Sequence, residues 1–408
     1  MKILMLHNRY RIRGGEGVST DATVALLRDA GHTVDLVEEW NDRVTELGMV
    51  KTSIRSVWSS EAYRDITERL ADGDYDVMHV QNFFPLHSPS VFHAARAMGV
   101  PTVNSLRNFR LLCPQGMLYR DGGVCMDCVG LKAPLPAVRH GCYRDSPAGT
   151  AVVGAMAVSH RVAGTWRDAV DVHVTPSRFA ASVHVWGGFD PHHIEVVPNF
   201  VHPDPTVGTG KGDFALFAGR LAPEKGIDVL IEAWRTHLSD IPLRIAGTGI
   251  LEDDVFAIAD DLDTVEYVGT LEHPQLTKMM GEATLVVTPT TGIETFGRVA
   301  AEAHATGTPV VTSNLGGLPE IVVDEETGLL VPPGDPRALA SAVRRLWDDR
   351  TSLASMRSAA RARYEAEYSA PTALAAWEEI YRLAGDRNRE RATTGQPIQI
   401  ERRRGNRA

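Results

Sequence analysis

No apolar run in this 408-residue chain approaches the roughly 20 residues that span a bilayer as a helix, which excludes an integral helical membrane protein. The opening Met1-Lys2-Ile3-Leu4-Met5-Leu6-His7 turns polar too soon for a secretory signal, so a cytoplasmic location is expected. Positive charge is in deficit. Lys and Arg number 42 against 52 Asp and Glu, and a net charge of −10 argues against non-specific nucleic-acid binding. Cysteine is scarce: four residues, all in one loop-rich stretch, and disulfides are not expected in a cytoplasmic chain. The first strand is not followed by Gly-x-Gly-x-x-Gly. Gly14-Gly15-Glu16-Gly17 does not supply that pattern, which argues against an NAD-dependent oxidoreductase. Asp-x-Asp, a pattern that can grip a divalent metal at a strand end, does not follow any strand. Asp74-Tyr75-Asp76 and Asp261-Leu262-Asp263 precede strands and read as surface acids.

What is present is an ordinary globular composition, 43% hydrophobic and 23% charged, long enough for two or three domains. Strand, loop, helix and strand follow one another from Ile3: a strand to His7, the Gly14-Gly15 loop, a helix over 19–30 closed by Gly31, and a strand over 34–37. That is the unit of a parallel sheet. It recurs as strands over 76–81, 100–105, 173–176 and 194–198 with a helix over 88–98. A second series starts after Pro198-Asn199, with strands over 214–218, 243–246, 265–268, 284–288, 310–313, 318–322 and 328–331. Two doubly wound α/β halves with a cleft between them are expected, divided at 1–198 and 199–368. A further helix carries Leu374, Trp377, Ile380, Tyr381 and Leu383 at helical spacing, within a segment 369–385. Docking on the second half is its default, and packing back on the first half the alternative. The Arg-rich tail 386–408, with Arg402-Arg403-Arg404, reads as disordered and solvated; contact with an anionic lipid or polymer is the lesser reading. The stretch Lys51–Leu70 is basic and amphipathic, by default an ordinary surface helix, otherwise a peripheral membrane contact.

Chemistry concentrates in the second half. Residues 292–311 place Glu294 before a glycine turn, then an Ala-rich helix bearing Glu302, then Gly307 and a buried strand from Pro309. Free N–H groups and the positive dipole end at such a helix start suit a phosphate, while flanking acids suit sugar hydroxyls. Arg220 and Lys225 follow a strand directly, where one fork and one point charge can share a diphosphate. Gly247 and Gly249 also end a strand, where backbone can approach a ligand closely.

Together Gly219–Gly226, Gly247–Gly249, Glu294 with Glu302, and Gly307–Val310 resemble the donor half of retaining glycosyltransferases of the GT-B fold, family four. The resemblance implies two Rossmann-like domains facing a cleft and metal-independent hexosyl transfer from a UDP- or GDP-linked sugar to a hydroxyl. The acceptor could be a sugar, a lipid-linked intermediate or a small natural product. Arg220, Lys225 and Glu294 would be catalytic: the cations hold the leaving diphosphate, and Glu294 binds the donor sugar. Glu302 would take the ribose, and the amides of Phe296, Gly297 and Arg298 would cap the phosphates. On the first half, Gly15 and Glu16 would approach the donor. Arg107, in Asn104–Arg110, stands where members usually carry His, and Arg cannot act as a base. His79 is a further cleft candidate. A nucleotide-sugar epimerase and a non-catalytic nucleotide-sugar-binding protein are the alternatives.

Cys113, Cys125, Cys128 and Cys142 lie in an insertion over 107–145. A Cys-x-x-Cys pair with two flanking Cys fits a tetrahedral structural zinc that would staple a loop too polar to fold on its own core. A cysteine-bearing subgroup of the same family points the same way. Free thiols and a redox or iron–sulfur role are the alternatives.

Overall fold

The computed structural model describes residues 1–11 and 14–394. In the first half, β1 (Lys2–Arg9), β2 (Thr33–Trp40), β3 (Val77–Asn82) and β4 (Thr102–Ser105) precede a two-stranded hairpin, β5 (Tyr119–Arg120) and β6 (Gly123–Val124). β7 (Val172–Thr175) and β8 (Ile194–Val196) complete a six-stranded parallel sheet in the order β2-β1-β3-β4-β7-β8. The second sheet is also parallel and six-stranded. It joins β9 (Ala215–Ala218), β10 (Leu243–Ala246), β11 (Val265–Gly269), β12 (Leu285–Thr288), β13 (Val310–Ser313) and β14 (Gly328–Val331) in the order β11-β10-β9-β12-β13-β14. The doubly wound α/β expectation holds in both halves. Ile3, Leu4, Met5 and Leu6 are all fully buried, because helices cover both faces of such a sheet and leave no polar side for alternation.

Strand order reverses between β1 and β3 in one sheet and between β9 and β12 in the other. The loops leaving those carboxyl ends turn to opposite faces, and a crevice opens between them. The two halves meet across it. Ser177 Oγ donates to the Thr295 carbonyl at 2.6 Å, the amides of Arg178 and Phe179 donate to the Glu320 carboxylate at 2.9 and 2.6 Å, and Arg298 Nη1 donates to Ser19 Oγ at 3.2 Å.

Helix positions differ from the sequence expectation in four places. The first helix is Gly15–Asp29, so Glu16 sits in its first turn rather than in a loop. The stretch 51–70 is divided between helices Arg43–Val57 and Ser60–Gly73. The break lies at Ser59, whose Oγ accepts from the Ala62 amide at 3.1 Å and caps the second helix. That helix buries Ala62, Ile66 and Leu70 at four-residue spacing. The expected strand over 318–322 is a short helix, Leu318–Ile321. Pro319 is suited to a first helical turn, and a three-residue step lets Leu318 and Ile321 bury on one face.

The fourth difference is the C-terminal helix, Ala370–Thr394, which runs well past 385. Trp377, Ile380, Tyr381 and Ala384 pack with Ile3, Met5, Val24, Val77 and Val103, so the helix docks on the first sheet and not on the second. Beyond residue 385 it is held by charge. Arg387 donates to the carbonyls of Asp171 and His192 at 3.1 and 2.8 Å, and Arg391 pairs with the fully buried Asp171 at 3.0 Å. The arginines that looked solvated in sequence are therefore anchors. Arg402-Arg403-Arg404 lie outside the described residues. Among the described residues, no helix is long and apolar enough to cross a membrane.

Candidate active site

The loop after β9 carries Arg220 and Lys225, and the segment after β12 carries Glu294, so all three stand at the reversal point of the second sheet. Each cation already holds a carboxylate. Lys225 Nζ donates to Glu294 Oε1, and Arg220 Nη2 donates to Glu224 Oε1. Glu224 is a residue that sequence reasoning missed. Its carbonyl also accepts from the Thr291 and Gly292 amides at 3.1 and 2.9 Å, which ties the Lys225 loop to the Glu294 segment. The Gly-x-Gly turn after β10 packs directly on the loop after β9. Gly247, at φ +138°, lies so close to the first loop that a Cβ would fall on the Gly219 carbonyl oxygen, and one on Gly249 would meet that of Leu221. These glycines let two loops lie backbone to backbone, which shapes the floor under Arg220.

The helix Arg298–Ala305 begins at Gly297, which has φ +107° and no side-chain cap, so its first N–H groups are free. Phe296 faces away from the crevice and is buried edge-on against Tyr368, with ring centroids 5.7 Å apart. Only its backbone can serve a ligand there. Just over one turn into that helix stands Glu302, buried, with Arg298 Nε at 2.8 Å and His273 Nε2 at 3.4 Å. Burial pushes the Glu302 carboxyl upward, but His273 and Arg298 outweigh it and hold the group below the ordinary carboxylate range. The Arg298 side chain and His273 thus both hold the Glu302 carboxylate.

On the facing wall, Gly15 opens the first helix opposite the Arg298 side chain, where a Cβ would sit 3.7 Å from Arg298 Cδ. Glu16 lies among Tyr10, Asn82, Arg107, Asn108 and Arg110, with Asn108 Nδ2 at 3.5 Å from its Oε2. Burial, opposed by the two arginines, pushes the Glu16 carboxyl up to about 7. Arg107 is committed to the protein. Nε and Nη2 donate to Gln81 Oε1 at 3.3 and 2.9 Å, and Nη1 donates to Asn199 Oδ1. Its carbonyl accepts from Thr295 Oγ1 at 3.3 Å, which brings it next to the Glu294 segment. His79 is not a lining residue. It is fully buried, bridging Tyr381 OH and Ser105 Oγ at 2.9 Å each, so the C-terminal helix buttresses this wall from behind.

The four cysteines require a correction. Cys113 and Cys128 are buried, Cys125 and Cys142 half-buried, and all are free thiols. Among the described residues, no group of three or more His, Cys, Asp or Glu is placed to hold a metal, and structural zinc is not supported. The expectation assumed an insertion without a core. The structure supplies one, packing Phe109, Leu112, Cys113, Leu118 and Val129 against Ala180 and Val183. Burial pushes the Cys128 thiol up to about 11, with the other three cysteines adding to the shift.

Comparison with known proteins agrees with this architecture. Residues 205–363 match the family described as glycosyl transferases group 1. D-inositol 3-phosphate glycosyltransferase 1 of Catenulispora acidiphila is 32% identical over 309 residues, 71% of this chain and 68% of that one. Glycogen synthase of Mycobacterium tuberculosis is 37% identical over 190 residues, 45% of each chain, so the alignment spans under half of that relative. Among solved structures, Anabaena Alr3699/HepE in complex with UDP superposes with a TM-score of 0.65 at 18% identity, covering 94% of this chain and all of that one. The sucrose-phosphate synthase of Thermosynechococcus elongatus gives 0.66 at 18%, covering 93% and 98%. The two parallel sheets facing one crevice are the GT-B fold, and the chain belongs to the group 1 glycosyltransferases.

Proposed function

We propose that the protein transfers a hexosyl group from a UDP- or GDP-linked donor to an acceptor hydroxyl, with retention and without a catalytic metal. The observation that carries this reading is the convergence of Arg220, Lys225, Glu294 and an uncapped helix start at one sheet reversal, with Glu302 beyond them. On this reading Arg220 and Lys225 exchange their carboxylate partners for the donor diphosphate. They then neutralise the charge that grows on it as the glycosidic bond breaks, a task otherwise given to a metal. The N–H groups of Gly297 and Arg298 add fixed dipoles aimed at the same phosphates. Glu294, released from Lys225, accepts a hydrogen bond from the donor sugar. Glu302 is the ribose acceptor, oriented by Arg298 and His273. The UDP complex of the Anabaena relative favours a uridine donor. The inositol-phosphate relative makes a polar, phosphorylated polyol a reasonable first acceptor to try.

The test is a thermal-shift screen of UDP- and GDP-sugars followed by assay of nucleoside diphosphate release with and without chelator. Stabilisation by one donor, with turnover that survives chelation, is the expected result. Loss of turnover on chelation overturns metal independence. Binding without turnover favours the non-catalytic reading.

A further inference from the structure

The hairpin β5–β6, inside the cysteine-bearing insertion of the first half, reaches across the crevice to the loop that carries Arg220 and Lys225. Its turn, Asp121-Gly122, has φ of +53° and +80°, the left-handed pair of a tight two-residue hairpin. Arg120 fastens that turn, pairing with Asp121 at 3.1 Å and Asp127 at 2.8 Å. Leu118 anchors the root, buried in the insertion core with Phe109, Leu112 and Cys113. The finger so built meets the second half beside both cations. Tyr119 OH lies 3.3 Å from Thr291 Oγ1, and Met117 Sδ lies 3.9 Å from Arg220 Nη2. Ile293, the residue before Glu294, packs against the same insertion core.

The rest of the network fixes the direction of the Tyr119 contact. A hydroxyl has one proton to give, and Thr291 gives its own to the Pro223 carbonyl at 2.9 Å, so Tyr119 donates to Thr291. Pro223 opens the short turn Pro223–Lys225, and the Thr291 amide holds the next carbonyl, that of Glu224, at 3.1 Å. The chain from Tyr119 through Thr291 to Pro223 thus ties the hairpin to the cation loop. Unlike the pairs Arg220–Glu224 and Lys225–Glu294, it contains no charged group for a diphosphate to capture. We propose that Tyr119 is a positioning residue of the transfer: its hydroxyl, acting through Thr291, holds the Arg220–Lys225 loop in place once the donor has drawn both cations from their carboxylates. The inference rests on the glycosyltransferase reading above. Charge grows on the diphosphate as its bond to the anomeric carbon breaks. A loosened loop therefore costs more in that step than in binding the intact donor, whose charge is lower.

The experiment uses the full chain, with UDP-glucose, UDP-N-acetylglucosamine and GDP-mannose as donors and water as the attacking hydroxyl. Donor Kd is read by calorimetry and turnover by steady-state release of nucleoside diphosphate. Tyr119→Phe keeps the ring and removes only the hydroxyl. Its turnover is expected to fall about tenfold, the scale of one lost hydrogen bond, with donor Kd within about threefold of wild type and a melting temperature close to it. Thr291→Val breaks the same chain and should lose turnover to a similar degree, whereas Thr291→Ser keeps the hydroxyl and should retain most of it. Because the two hydroxyls act in series, the double variant Tyr119→Phe/Thr291→Val should be no slower than Thr291→Val alone. Turnover of Tyr119→Phe within about twofold of wild type, a donor Kd weakened as much as turnover, or losses that multiply in the double variant overturn the role of Tyr119. A wild type that binds none of these donors, or binds one without releasing diphosphate, removes the transfer reading itself, and the proposal with it.

Discussion

Glu294 and Glu302 sit on one loop and the helix that follows it, yet they meet opposite environments. Glu294 shares Lys225 at a half-buried site, while Glu302 is enclosed with Arg298 and His273. Replacement should therefore act on different steps. Glu294→Ala should cut turnover by more than tenfold with a modest change in donor affinity. Glu302→Ala should weaken donor binding by about 1–3 kcal/mol and leave turnover of the bound donor largely intact. Comparing kcat with calorimetric Kd for the two variants decides it, and equal small losses in both would place the donor elsewhere. Gly247→Ala is a structural counterpart. Its methyl would fall on the Gly219 carbonyl in a backbone region that side chains avoid, and a stability loss of about 2–4 kcal/mol is expected in urea titration.

Among the elements, the helix Ala370–Thr394 is where a substitution far from the crevice should matter. Arg391 neutralises Asp171, whose carboxylate is fully buried and also accepts from the Thr102 amide at 2.8 Å. Arg391→Leu leaves that charge without its partner, and a loss of about 3–5 kcal/mol at pH 7 is expected from denaturant unfolding. The loss should shrink as the pH falls toward 4, because the variant can then protonate Asp171. The same helix shows what the sequence could convey. Leu374, Trp377, Ile380 and Tyr381 spelled out an apolar stripe, but periodicity says that a face is buried and not what buries it. The arginines at 387 and 391 read as solvated because their partners, the carbonyls and carboxylate around Asp171, come from a chain segment more than 200 positions earlier. The helix Leu318–Ile321 was misread for a local reason: a short apolar run fits a strand and a single helical turn equally well. The parallel strands were legible because burial on both faces writes them as continuous apolar runs between glycine turns. The motif residues at the β9–β12 reversal were legible as a set. Their pairing with Glu224, Glu294 and His273 was not, since ion pairs across loops leave no spacing rule in the chain.

Across the whole molecule, histidine sets the acid limit. His7, His79, His87, His173, His184 and His304 are all buried, and burial pushes their pKa values down from 6.5 to about 4, 3, 4, 3, 4 and 3 respectively. The sign is fixed by which state binds the proton. These rings are neutral in the fold and protonate in the unfolded chain below about 6.5, so the fold keeps their contribution above that pH and loses it as the pH falls toward 4. Each ring contributes up to about 1.4 kcal/mol per pH unit in that window. Melting temperature should be nearly flat from pH 7 to 8 and drop steeply below 6, and replacing His173 by an apolar residue of similar size should make the slope shallower by about one proton. A melting temperature indifferent to pH between 7 and 5 would show that these rings are not neutral in the fold.

The two ion pairs of the crevice, Lys225 with Glu294 and Arg220 with Glu224, have a consequence for the end of the proposed cycle rather than its beginning. A spent diphosphate held by two cations would ordinarily be slow to leave. Here each cation has a carboxylate attached to the same scaffold, waiting at an effective concentration that no dissolved anion reaches. The carboxylates compete with the product for the site it occupies and close behind it when it goes. Shortening Glu224 to alanine should therefore tighten inhibition by free UDP while slowing steady-state turnover, a coupling that product-inhibition kinetics can read directly.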